Sequence, residues 1–201
     1  MSTSTPGSSG TRPQASHWNL PNALTWLRIL MIPAIVLFFY LLPYPWGDTA
    51  ACAAFALAGI TDSLDGYYAR KLGLTSRLGA FLDPVADKLI VAAALILIVS
   101  RDPRWFMAIA AIVIIGREIA ISALREWMAE IGARRKVAVS LLGKYKTILQ
   151  ITGLSLMLYR AQLFGFLPTY RLGVWLTVIA AVATLVSMVA YLRAAWPELR
   201  R

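Results

Sequence analysis

Six apolar stretches divide the chain, at about residues 23–42, 49–62, 79–100, 105–127, 146–164 and 172–193. Most come near the ~20 residues that a helix needs to cross the hydrocarbon core of a bilayer, and the second reaches that length by running on into an acidic motif at residue 62. No water is available in that layer, so the backbone has to pair its own N–H and C=O groups, and a helix does so within one segment. The chain is thereby restricted to an all-α integral membrane architecture, a six-transmembrane-helix bundle. The composition agrees, with 59% hydrophobic and only 15% charged residues, well to the membrane side of soluble averages. The helical domain is expected over residues 17–195. Residues 1–16, rich in Ser, Thr, Pro and Gly, read as a disordered N-terminal tail, and 196–201 as a short C-terminal tail. The first segment lacks a compact basic region and a small-residue cleavage site, so it does not read as a removed signal peptide. Trp18, beside His17, reads as an interfacial anchor.

Charge sets the orientation. The sequence has 20 Lys and Arg against 10 Asp and Glu, a formal net charge of +10. Arg101, Arg104, Arg160 and Arg171 fall on the connections at one end of the expected bundle, and the other 16 fall at the opposite end. An even number of spans puts both termini on one side, and the excess of basic residues makes that side cytoplasmic. The expected location is the cytoplasmic (inner) membrane, multi-pass. Because these residues sit between apolar spans, anionic lipids and phosphate-bearing substrates are the expected partners, and nucleic acid is not. Cys52 and His17 are the only residues of their kinds. That excludes an intrachain disulfide and any metal site built on several Cys or His ligands.

Four carboxylates stand out against this background: Asp62, Asp65, Asp83 and Asp87. Charge is costly beside apolar spans, so its presence there points to function. Asp62 and Asp65 are spaced i, i+3, and Asp83 and Asp87 i, i+4, so on helices each pair projects from one face. Four close carboxylates repel one another in a low dielectric and need cations or protons. Oxygen-only ligation suits Mg²⁺ or Mn²⁺. Gly66 and Gly79 lack a Cβ and allow close approach. Arg70 follows Asp62 by about two helical turns and is placed to face a phosphate held by the same ions. Helix-end acids paired with nearby Arg and Lys would be the plainer reading. It accounts for two acids but poorly for four at matched spacings.

Two further regions carry polar residues. Pro21-Asn22-Ala-Leu-Thr25-Trp-Leu-Arg28 reads first as a helix start, with Pro in the first turn and Asn22 as a possible cap. Asn22 reads equally well as bordering a nucleotide pocket, whereas Thr25 and Arg28 are given the structural reading. Arg117 and Glu118 end an apolar run. Beyond them come Arg134, Arg135 and Lys136, read as interfacial charge, and then Gly143-Lys144-Tyr-Lys146-Thr147. A phosphate site is preferred for Arg117, Lys144 and Lys146, converging with Arg193 at the end of the last helix.

The run Asp62-x-x-Asp65-Gly66-x-x-Ala69-Arg70, followed by Gly79-x-x-x-Asp83-x-x-x-Asp87, resembles the signature of the CDP-alcohol phosphatidyltransferases, with every fixed position present. Arg117-Glu118-Ile-x-Ile-Ser-x-Leu-Arg-Glu-Trp and Gly143-Lys-x-Lys-Thr look like the bacterial phosphatidylglycerophosphate synthases within that family. The resemblance spans about Pro21 to Arg193. It implies transfer of the phosphatidyl group from CDP-diacylglycerol to glycerol 3-phosphate, giving phosphatidylglycerophosphate and CMP. It also implies two metal ions on the four aspartates, Asp87 as general base, a homodimer, and an acceptor-phosphate site at Arg117, Lys144 and Arg193. Asn22, Gly66, Arg70 and Gly79 would border the CDP-lipid. Inositol phosphate, serine or phosphatidylglycerol remain open as acceptors. An intramembrane prenyltransferase would carry its acidic motifs farther apart in a longer chain. A cation transporter would leave Arg70, the glycines and the basic cluster without a use.

Overall fold

The computed structural model describes residues 20–72, 77–133, 141–163 and 165–200, without the side chains of 20–22, 63–72, 77, 78, 80, 141–145, 163 and 199. Among the described residues six helices follow one another: α1 Leu20–Leu41, α2 Trp46–Leu72, α3 Arg77–Arg101, α4 Trp105–Glu130, α5 Leu141–Tyr159 and α6 Thr169–Leu199. They alternate in direction, so the starts of α1, α3 and α5 share one end of the bundle with the ends of α2, α4 and α6. The carboxylate motif lies at that end. Helix α6 continues to Leu199, into the segment expected to be a tail. The expected N-terminal tail, His17, Trp18, Arg134, Arg135 and Lys136 lie outside the described residues.

Among the described residues, three helical stretches are long and apolar enough to cross a membrane: Ala23–Leu41, Trp105–Glu130 and Thr169–Glu198. Helix α2, with Asp62 and Asp65, and α3, with Asp83, Asp87 and Lys88, carry the charge of the carboxylate region. Large apolar side chains, including Ile112, Ile119, Val182 and Val186, remain exposed on the outer faces. Such patches would be a liability in water and suit a hydrocarbon solvent.

The interior is packed from all six helices. Ile35, Phe55, Leu95, Met107, Ile114, Leu154 and Met157 form the main core, to which α6 contributes Ala181. A smaller cluster, Ile121, Met128, Tyr191 and Ala195, joins α4 to α6 near the carboxylate end. Pro43 and Pro45 end the first helix, and the chain turns back so closely that a Cβ on Gly47 would lie 2.6 Å from the Leu42 carbonyl oxygen. Helices α5 and α6 approach closely at Gly153 and Gly173. A Cβ on Gly173 would stand 2.6 Å from the Gly153 carbonyl oxygen, and one on Gly153 would stand 2.7 Å from Thr177 Oγ1.

The fifth helix begins and ends earlier than its hydropathy suggests. It stops at Tyr159, Arg160 adopts φ 55°, and a two-stranded hairpin follows, β1 Gln162–Leu163 with β2 Leu167–Pro168. Gly165, in the turn, has φ 77°, a conformation glycine adopts without a Cβ penalty. Apolar composition alone does not distinguish this short turn from a continuing helix.

Candidate active site

Helix α1 supplies the residues that organise the carboxylates. Arg28 is 1% exposed. Its Nη2 lies 3.1 Å from Asp62 Oδ1 on α2, and its Nη1 donates to Asp87 Oδ1 on α3 at 2.5 Å. Thr25, one turn earlier and also buried, donates its hydroxyl to Asp83 Oδ1. Thr25 and Arg28 are i, i+3, so one face of α1 meets carboxylates from two helices. Thr25 and Arg28, read from the sequence as structural residues of a helix start, pair with the carboxylates of α2 and α3. The regular Asn22, Thr25, Arg28 spacing was the signal that they share a face. Asn22 lies inside α1, which starts at Leu20, and so is not its cap.

Asp62, Asp83 and Asp87 are thus brought to one end of the bundle, with Gly79 buried on α3 beside them. The side chains of Asn22, Asp65 and Arg70 lie outside the described set, and Gly66 is placed only as part of the α2 backbone. Among the described residues no three acidic or metal-ligating side chains close around a common point. The chemistry of the set nevertheless fits a hard divalent cation. Every donor is an oxygen, Asp62 and Asp87 already share one positive charge at Arg28, and both side chains stay about two-fifths exposed, at 42% and 43%.

A second polar cluster lies between α4, α5 and α6. Glu118 Oε1 accepts from Arg117 Nη1 at 2.8 Å and from Lys146 Nζ at 2.9 Å. Arg117 Nη2 donates to Ser187 Oγ at 2.9 Å, and Ser187 in turn donates to the Thr184 carbonyl. Arg117 is 7% exposed and Lys146 3%. Two turns beyond Arg117, Arg125 donates to Tyr191 Oη at 2.7 Å, with its guanidinium over the same ring. It is close enough to act on the Lys146 charge. Three cations and one carboxylate therefore share this region. Among the described residues, the Nε atoms of Arg117 and Arg125 and Oε1 of Gln150, one turn after Lys146, are buried without a hydrogen-bond partner.

Arg117 and Lys146 are brought together as the sequence suggested. Lys144 is placed only as backbone in the first turn of α5. Arg193 is set apart from the pair. Ser187 and Tyr191 mark the face of α6 turned to α4, whereas Arg193 is exposed and lines an apolar recess with Val189, Leu192 and Trp196. At about 100° per residue, Arg193 points well away from Ser187 and Tyr191. Sequence reasoning missed Glu118, Arg125, Ser187 and Tyr191 as partners. Glu118 and Arg125 sit in the motif beside Arg117, but Ser187 and Tyr191 come from a helix with no distinguishing local pattern.

At the opposite end, buried Asp48 pairs with Arg101, which also lies over the Phe39 ring. Asp102 accepts from Arg104 Nε at 2.7 Å and from the Tyr170 hydroxyl.

A buried arginine tying helix-borne aspartates together, with a second cationic cluster at the same end of a six-helix bundle, is the setting in which the family comparison falls. A sequence model of the CDP-alcohol phosphatidyltransferase family matches residues 18–192, and the chain belongs to that family. It is 46% identical over 183 residues to the "CDP-diacylglycerol--glycerol-3-phosphate 3-phosphatidyltransferase" of Escherichia coli strain K12. It has the same identity to the protein of that name from Shigella flexneri serotype 5b strain 8401. Each match covers 91% of this chain and 98% of the relative.

Proposed function

We propose that this protein is a membrane enzyme that transfers the phosphatidyl group of CDP-diacylglycerol to glycerol 3-phosphate, releasing CMP and phosphatidylglycerophosphate. The observation that carries the choice of acceptor is the Arg117–Glu118–Lys146 cluster with Arg125. Among the described hydrogen-bonded side chains there, Arg117, Lys146 and Arg125 face one carboxylate, Glu118, so positive charge is in excess. A phosphate monoester matches that excess, whether on glycerol 3-phosphate or on inositol phosphate, whereas serine does not. Of the two, glycerol 3-phosphate is the acceptor in the relatives' names.

In this reading Asp62, Asp65, Asp83 and Asp87 hold two divalent ions, Mg²⁺ or Mn²⁺. When bound, these ions neutralise the diphosphate and the charge that develops on the CMP leaving group. Arg28 keeps Asp62 and Asp87 aimed at one region, and Thr25 fixes Asp83. Gly66 and Gly79 admit the nucleotide, Asn22 borders it, and Arg70 faces its diphosphate. Arg117, Lys144 and Lys146 hold the acceptor phosphate, with Arg193 at the periphery. Asp87 takes the proton of the acceptor hydroxyl as its oxygen bonds to the lipid-bearing phosphorus and the bond from that phosphorus to CMP breaks. Holding both reactants lowers the barrier by positioning. The chain crosses the cytoplasmic membrane six times with the carboxylate end and both termini inside, and it works as a homodimer.

An acceptor panel with purified protein tests this. CMP should be released from CDP-diacylglycerol when glycerol 3-phosphate is supplied, and not with serine, inositol phosphate or phosphatidylglycerol. EDTA should stop the release and added Mg²⁺ or Mn²⁺ restore it. Release with another acceptor alone would move the protein elsewhere in the family.

A further inference from the structure

We infer that Glu118 is a positioning residue that acts as the acceptor site's own counter-anion: it holds Arg117 and Lys146 on one carboxylate oxygen and yields those donors to the incoming phosphate. This inference rests on the acceptor site proposed above.

The geometry is specific. One oxygen, Glu118 Oε1, receives both cations, at 2.8 and 2.9 Å. Arg117 and Lys146 come from different helices, α4 and α5, and both are buried. Two such cations repel each other strongly away from water. A shared carboxylate offsets that repulsion and fixes their direction before any ligand arrives. Ser187 secures the other terminal nitrogen of Arg117, so the guanidinium has little freedom to turn away. Among the described residues the Arg117 Nε–H is buried without a partner, and Lys146 has two further N–H donors beyond the one given to Glu118.

A phosphate entering here meets donors already gathered at one point but partly claimed by Glu118. A tethered carboxylate competes at high effective concentration. It lowers acceptor affinity in return for preorganisation, and a dianion can win because it offers more charge and more oxygens. Glu118 itself is 30% exposed along its side chain, so it can turn toward water when it gives up its share. A merely structural ion pair would behave differently, since removing its acid would loosen the cations and weaken the acceptor.

The two roles predict opposite signs. Glu118→Gln keeps the size and an accepting oxygen but removes the charge. We expect its KM for glycerol 3-phosphate to fall roughly three- to tenfold, with the KM for CDP-diacylglycerol as the internal reference. Arg117→Ala should raise the acceptor KM. A second measurement uses the unaltered protein. A carbodiimide should join Glu118 to Lys146 in a zero-length cross-link, detected by peptide mass spectrometry, and saturating glycerol 3-phosphate should suppress it. A raised or unchanged acceptor KM in Glu118→Gln, or a cross-link indifferent to glycerol 3-phosphate, would overturn the inference. If Arg117→Ala still raises the acceptor KM in that case, the acceptor site stands and only the role of Glu118 falls. If Arg117→Ala also leaves it unchanged, the acceptor site falls too.

Discussion

Arg28 and Asp87 meet at 2.5 Å across the boundary between α1 and α3, joining a side chain that is 1% exposed to one that is 43% exposed. The same guanidinium reaches Asp62 on α2 at 3.1 Å. One residue therefore sets the separation of carboxylates on two other helices. A planar fork can bridge two partners in fixed directions, which a point charge on a flexible stem cannot. Arg28→Lys should lower kcat/KM by roughly ten- to a hundredfold through misplacement of the aspartates. It should also raise the Mg²⁺ concentration needed for half-maximal activity. A magnesium titration of both proteins measures this, and an unchanged titration would assign Arg28 to packing alone.

Arg193 and Arg117 should behave differently, although both lie at the same end of the bundle. Arg117 is buried and bonded to Glu118 and Ser187, whereas Arg193 is exposed beside Trp196. A charged hydrogen bond to phosphate is worth about 1.5–3 kcal/mol. Arg117→Ala should therefore cost roughly ten- to a hundredfold in kcat/KM for the acceptor. Arg193→Ala should cost no more than about threefold, as for a screened surface charge. Kinetics with each substrate varied in turn separates them. Equal losses would bring Arg193 into the acceptor site.

The crossing of α5 and α6 depends on two missing side chains. Gly153→Ala would put a methyl 2.7 Å from Thr177 Oγ1, and Gly173→Ala would put one 2.6 Å from a backbone oxygen. Backbone cannot swing aside as a long side chain can. Either change should destabilise the bundle by about 1–3 kcal/mol, the usual range for overpacking. It should appear as a lower melting temperature in detergent, larger for Gly173→Ala. A melting temperature within a degree of the parent would mean that the helices separate at no cost.

Asp102 gives the bundle an acid-sensitive contact far from the chemistry. The hydrogen bond from Arg104 holds its carboxyl below the usual carboxylate range, assisted by the Tyr170 hydroxyl and opposed by burial. Because the folded-state value lies below the unfolded one, the stabilisation is complete above the ordinary carboxylate range. It is lost as pH falls through the lowered value. Asp102→Asn should therefore melt below the parent at pH 7, and the gap should close under acid conditions. Melting curves across pH measure the convergence, and parallel curves would exclude Asp102 as its source.

Much of the fold can be read from the chain because solvent chemistry dictates it. Stretches such as 23–42 and 105–127 are mostly apolar, and α1 and α4 follow them closely. The carboxylates were found because acids are rare here and their spacing is regular. What escaped detection depends on tertiary placement. Thr25 and Arg28 look like ordinary helix-start residues until α1 is packed against α2 and α3. Arg193 is as basic as Arg117, and only the rotation of α6 separates them. Arg160 and the short hairpin after it end α5 inside an otherwise largely apolar run that reaches Phe164.

Helix α6 can be treated as a lever. Near one end, the Tyr170 hydroxyl is pinned to Asp102 and Thr169 to the Ala161 carbonyl at 2.6 Å. Ser187, which steadies Arg117, lies about 25 Å along the same rod at 1.5 Å per residue. A tilt of only about 5° at the pinned end would sweep Ser187 through roughly 2 Å over that length. Displacements of about 1 Å already matter for positioned reactants. A shift at the Asp102 contact would thus reach a cluster it never touches, and alignment errors would grow with distance from it.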